Sequence, residues 1–272
     1  MKNALLLILL FAFAVACEEK TDIQPQSVES ANIAVDATIT NIRSRQSVRI
    51  THLTGNVNQP AEPVTGAAVR ISTSDSTWVL EEDPINPGTY HTYPGFKATL
   101  TKVYNLLISY NGKVYTAKAS MVVGLPVVKA RVKQKNNGLY QVIWIANPYN
   151  AKRPAMYELL LDWSGVSGYE NAPEGTTTAR MLYYSLPSLD VTRILAPESE
   201  TIEFPAGTMI TEKRYSLTAA HAEFIRGLLL ETTWKGGYFD TAPGNVPTNL
   251  SQGAVGFFGA CFVTSTQFVV VP

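Results

Sequence analysis

The sequence holds two cysteines in 272 residues, and one of them, Cys17, ends an apolar leader. A secreted chain left with the single thiol of Cys261 has no internal disulfide to staple it. Its stability must come from buried apolar surface, and about 255 residues beyond the leader suffice for two ordinary domains. Histidine is equally scarce, with only His52, His91 and His221. Zinc sites take three or four ligands clustered at short spacing, so no metal site is expected. Neither sign of charge is in excess, with 22 Lys+Arg against 22 Asp+Glu. That excludes the electrostatic footprint of a nucleic-acid or anionic-surface binder. No apolar run reaches the roughly 20 residues that a membrane-spanning helix needs. Solenoid repeats, a P-loop, an HExxH pair and a dinucleotide fingerprint after a strand are all missing. Ser164-Gly165-Val166-Ser167-Gly168 does not complete the pattern of a nucleophile elbow. His221-Ala222-Glu223 is half of a deaminase signature whose paired cysteines are absent. No catalytic residue and no cofactor are therefore expected.

What the sequence does carry begins at its start. Met1-Lys2-Asn3 is a short basic opening, and Ala4 to Val15 is unbroken apolar. That is the layout of a secretory signal peptide over residues 1–16. Ala14-Val15-Ala16-Cys17 closes it as a lipobox does, with small residues before a cysteine whose thiol takes a diacylglyceryl group. The bland alternative is an ordinary signal peptide followed by an incidental cysteine. Two or three acyl chains hold a protein stably on a membrane, where one chain is marginal. Glu18-Glu19-Lys20-Thr21-Asp22 comes next. Glu18 and Glu19 resemble the acidic export signal of Bacteroidota surface lipoproteins; otherwise they are a solvated tether. Residues 17–32 are polar, contain Pro25 and read as a lipidated linker. The expected place is the outer membrane, lipid-anchored and facing the cell exterior.

Beyond the linker the period is that of strands. Ile33, Val35, Ala37 and Ile39 alternate with polar residues, as do Tyr104, Leu106, Ile108 and Tyr110. Asn111-Gly112 is a two-residue hairpin turn in which both residues can take positive φ. About seven short strands over residues 33–124 predict an immunoglobulin-like or transthyretin-like β-sandwich. Gly124-Leu125-Pro126 marks the expected boundary. Over 127–272 a hairpin turns at Asn136-Asn137-Gly138, and Tyr157, Leu159, Leu161 and Trp163 alternate again. The one helix is expected over about 217–235, with Leu217, Ala220, His221, Phe224, Ile225, Leu228 and Leu229 as its stripe. Ser216 or Thr218 would cap it, and Gly236-Gly237 would stop it. A Gly-rich strand at 253–263 and a closing strand at 267–271 follow. The fold class is mainly β: a sandwich, then a β-rich domain with one long helix.

Single residues are weighed against plain structural roles. Cys261 alternates with Val255, Phe257 and Val263, which reads as a buried, inert thiol. Gly253, Gly256 and Gly259 read as a close crossing by the helix rather than a ligand contact. Glu81-Glu82-Asp83 offers too few oxygens for calcium and reads as a solvated turn. Trp78, Tyr90, Tyr93 and Phe96, like Tyr238, Phe239, Phe257 and Phe258, are weighed as core against an exposed aromatic surface for a glycan or peptide. Ser76, in Asp75-Ser76-Thr77, and Thr241, in Asp240-Thr241-Ala242, match a three-residue O-glycosylation pattern.

Longer stretches carry a family resemblance. They are Pro63-Val64-Thr65-Gly66-Ala67-Ala68-Val69-Arg70-Ile71, Pro87-Gly88-Thr89-Tyr90 and Tyr110-Asn111-Gly112-Lys113-Val114-Tyr115. More specific is the helix followed by Phe239-Asp240-Thr241-Ala242-Pro243-Gly244-Asn245-Val246-Pro247-Thr248-Asn249 and the strand from Gly253 to Ala260. In these the chain resembles the Bacteroidota outer-membrane lipoprotein family of domain of unknown function 4249. The resemblance implies a gene beside a SusC-like TonB-dependent transporter. It implies a non-enzymatic accessory or substrate-capture subunit of that transporter, and brings no catalytic residues. A structural or adhesive surface module without a small ligand is the second reading, and a hydrolase the third.

Overall fold

Alternation of apolar and polar residues drives most of the elements. In the first strand Ile33, Val35, Ala37 and Ile39 are all at most 2% exposed, while the residues between them are half-buried or exposed. A strand turns successive side chains to opposite faces, so this pattern buries one face of a sheet. The structure is a computed structural model, and it describes residues 32–54, 59–188, 201–232 and 246–272. Residues 1–31 lie outside that range, and so do Cys17, Glu18, Glu19 and Thr241.

The strands of the first half are β1 (Ile33–Thr40), β2 (Ser47–His52), β3 (Ala68–Ser72), β4 (Thr77–Glu82), β5 (Thr89–His91), β6 (Val103–Tyr110) and β7 (Lys113–Ser120). Asn111 (φ 47°) and Gly112 (φ 72°) make the turn between β6 and β7, with both residues left-handed as the sequence predicts. The stretch 121–130 holds no strand. The second half contains β8 (Arg131–Gln134), β9 (Tyr140–Trp144), β10 (Ala155–Asp162), β11 (Thr178–Ser185), β12 (Glu203–Phe204), β13 (Met209–Ser216), helix α1 (Ala219–Glu231) and β14 (Ala254–Val269).

Eleven strands form one sheet in the order β11-β10-β13-β14-β1-β2-β5-β4-β3-β6-β7. The part from β14 to β7 curls on itself. Its far edge comes back to the chain just before β14, where Ala117 bridges Leu250 and the Ser251 N–H donates to the Thr116 carbonyl at 2.8 Å. The enclosed core contains Ile39, Ile50, Ile71, Tyr90, Leu106 and Phe258. Beyond β14 the sheet is covered on both faces. The small sheet β12-β9-β8 packs on one, burying Tyr140 and Phe204 against Leu159, Leu161 and Ile210. Helix α1 covers the other, over Cys261, Tyr215, Met156 and Tyr184. The fold is mainly β, with sandwiched layers and one helix among the described residues.

Several details differ from the sequence expectations. Leu217 is not helical: Thr218 is the N-cap, and its hydroxyl accepts from the His221 N–H at 3.2 Å. Of the expected stripe, Ala220 and Leu228 are exposed, and Ala222 is buried in their place. Residues 233–235 lie outside the described range. The two closing strands are one 16-residue strand, β14. The three glycines do not share one crossing. Gly259 lies under the His221 ring of α1, but Gly256 (φ +99°) abuts the Val35 carbonyl of β1, and Gly253 ends a turn near Tyr115.

Candidate functional site

Three groups of side chains could carry chemistry, and the elements that position them decide which do. The first is the only cysteine–histidine pair among the described residues. His221 Nδ1 lies 3.6 Å from Cys261 Sγ, where α1 crosses β14. The Phe257 ring stacks on the imidazole at 4.7 Å, and Phe224 stacks on Phe257 at 5.0 Å. Burial pulls the His221 pKa down to about 4 and pushes the Cys261 thiol up to about 12. A nucleophilic pair needs thiolate beside imidazolium. Both shifts favour the neutral pair instead, so this is a core contact, as the strand alternation predicts for Cys261.

The second group centres on Glu158 of β10, which is 7% exposed. It accepts from Arg180 Nε of β11 at 2.6 Å, and from Tyr215 OH and Lys213 Nζ of β13 at 2.8 Å and 3.2 Å. The ladder sets Glu158 directly opposite Lys213 and Leu182. Burial raises the carboxyl pKa, but the three donors outweigh it and hold the group below the usual range. Tyr215 shifts up, because burial and then the Glu158 carboxylate disfavour its phenolate. Every charge here is met, so the network locks three strands at the margin of α1.

The third group lies on the opposite face of β13, where Glu212, Arg214 and Ser216 are each at most 3% exposed. The Glu212 carboxylate accepts from the Ala130 N–H with both oxygens, at 2.9 Å and 3.1 Å. Burial raises its pKa. Arg214 donates to Ser216 Oγ at 2.7 Å, the Arg153 carbonyl at 3.2 Å and Tyr157 OH at 3.3 Å. Arg214 forms the floor of a cleft of about 690 Å³. Its rim runs from Leu100 and Met121–Val123 across to Ala151–Pro154, Pro187 and the start of α1 at Thr218 and Ala219. That volume falls within the range of small-molecule sites.

The residues singled out from the sequence stand apart from this cleft. Ser76 is exposed on the turn between β3 and β4, where its carbonyl accepts from the Thr73 N–H at 2.8 Å. The acidic turn is built into the fold more tightly than expected. Glu82 accepts from the backbone of Gly66 and Gly88, at 2.8 Å and 3.0 Å. Asp83 accepts from the Ile85 N–H at 2.8 Å and contacts His91 Nε2 at 3.0 Å. These donors, the Ile85 amide first, hold its carboxyl far below the usual range. His52 Nε2 lies 3.3 Å from Tyr110 OH. Trp78 packs edge-on against buried Phe96 at 5.0 Å, whereas Tyr93 is exposed. Phe257 and Phe258 are both buried, on opposite faces of β14. No group of three metal-ligating side chains occurs among the described residues, and no helix there is long and apolar enough to cross a membrane.

No curated protein matches this chain. Among solved structures, one titled as a cytokine receptor complex is 9% identical, with a TM-score of 0.24, covering 70% of this chain and 93% of that one. A second crystal form of a cytokine receptor complex is 9% identical, with a TM-score of 0.23 and coverage of 69% and 85%. The first three fibronectin domains of chicken CNTN1 are 11% identical, with a TM-score of 0.28 and coverage of 71% and 64%. The family model described as Domain of unknown function (DUF4249) matches residues 18–267, a span that contains the helix and every described strand except the last two residues of β14, and the chain belongs to that family.

Proposed function

We propose that this chain is a non-enzymatic binding subunit, lipid-anchored through Cys17 on the outer face of an outer membrane, and an accessory or capture subunit of a TonB-dependent transporter. The observation that carries the reading is the run Ala14-Val15-Ala16-Cys17 after an apolar leader, with Glu18-Glu19 directly behind it. An acyl anchor on that cysteine restricts the protein to a membrane surface. Family membership supports the partner, through the transporter neighbours that the resemblance implies. The side-chain chemistry fits binding better than turnover. The buried Cys261–His221 pair is held neutral, and the Glu158 carboxylate is fully occupied.

Two measurements test this. Tagged full-length protein is recovered from detergent-solubilised outer membranes, and a co-purifying TonB-dependent transporter is expected; lipoprotein recovered alone sinks the partner assignment. Cys17→Ser is expected to move the protein from the membrane to the soluble fraction. Retention of that variant in the membrane overturns the anchor.

A further inference from the structure

The cleft at the start of α1 is lined, among the described residues, by cations and by no anion. Lys152, Arg153 and Arg214 line it, and among the described residues no aspartate or glutamate does. Arg214 is 3% exposed, and all three of its acceptors are neutral oxygens. Among the described residues its charge has no counter-ion. Its Nη1 and Nη2 each keep one N–H with no acceptor there. A cation left this way in a desolvated site is destabilising, so an anion entering the cleft relieves a standing penalty. Helix α1, 13 residues long, starts in the same volume. The Thr218 hydroxyl takes the His221 N–H, the amides of Ala219 and Ala220 have no intrahelical partner, and the first turn carries no acidic residue. Such a terminus attracts negative charge. The facing wall is apolar: Leu100, Met121, Val122 and Val123.

We propose that this cleft binds a small amphiphilic acid, one carboxylate joined to an aliphatic body. Two free N–H groups on one planar guanidinium match the two oxygens of a carboxylate. The aliphatic body then lies along Val122 and Val123, removing exposed apolar surface from water. This deepens the binding-subunit reading and rests on it. The two are tested separately, because the ligand is measured on the isolated chain and the transporter in membranes.

Purified full-length protein is titrated with hexanoate, 1-hexanol and hexylammonium, followed by saturation-transfer NMR, and inorganic phosphate is read by its displacement of hexanoate. Hexanoate is expected to bind at least tenfold more tightly than any of the other three. Because Arg214 is buried and its loss endangers folding, the decisive variant is Val123→Asp. Val123 is 59% exposed, so the fold tolerates the change while a second carboxylate enters the cleft. Hexanoate affinity is expected to fall at least tenfold in that variant. The proposal is overturned by no hexanoate binding, by hexanol or phosphate binding as tightly, or by Val123→Asp binding hexanoate unchanged.

Discussion

At the scale of single residues, donors set the ionisation of Asp83 and Glu158, and burial sets it in the core. His221 is the clearest case, because burial alone lowers its pKa to about 4. An unfolded histidine titrates near 6.5. The folded state therefore favours the neutral ring, and the unfolded chain takes up the proton first. Stability from this group is complete above pH 6.5 and is lost as the pH falls from 6.5 towards 4. By pH 5 the loss is about 2 kcal/mol. Urea denaturation at pH 7 and pH 5 checks it. The wild type should lose that much more between the two pH values than His221→Gln does, whatever the absolute stability of the variant. Equal losses in both would place the acid sensitivity elsewhere, with the Glu158 network the next group to examine.

At the scale of elements, one side chain takes the place of a strand. Between β7 and β14 no ladder forms, yet Asn249 bridges them. Its Nδ2 donates to the Lys118 carbonyl at 2.9 Å and the Phe258 carbonyl at 2.8 Å, and its Oδ1 accepts from the Phe258 N–H at 2.9 Å. Asn249→Ala leaves those backbone groups unmatched in a half-buried seam, a cost of about 3 kcal/mol. Asn249→Asp keeps the acceptor but sets a carboxylate oxygen against both carbonyls, so it should lose at least as much. A change of urea midpoint in Asn249→Ala worth under ~0.5 kcal/mol would remove this role. The motif Pro247-Thr248-Asn249 is visible in the sequence, but the job of its asparagine is not, because both partners lie outside the loop. Where apolar residues alternate, as in β1 and β6, the strands are legible, and Asn111-Gly112 marks the hairpin. β13 is not legible. Its inward row is Ile210, Glu212, Arg214 and Ser216, so burial there has no hydrophobic period to announce it. The cleft escapes for a further reason: five separate stretches of chain meet to form it.

At the scale of the whole molecule, β14 decides whether the halves can unfold separately. Its residues Ala254–Cys261 pair in parallel with β1, and Phe262–Val269 pair antiparallel with β13. Phe258 and Ala260 fill the core of the curled sheet, while Phe268 packs against the core under the small sheet. A single strand shared in this way cannot leave one core without stripping the other. Cooperative unfolding across both halves follows, even though 121–130 is free of strands. Leu159 is fully buried in the second core. Leu159→Ala is expected to cost about 2–5 kcal/mol. Hydrogen exchange then separates the alternatives. If β14 couples the halves, the most protected amides of β1 and β6 lose protection by the same free energy as those of β10 and β13. If the loss is confined to the second half, the boundary near Gly124-Leu125-Pro126 separates two independent folding units, and β14 is only their seam.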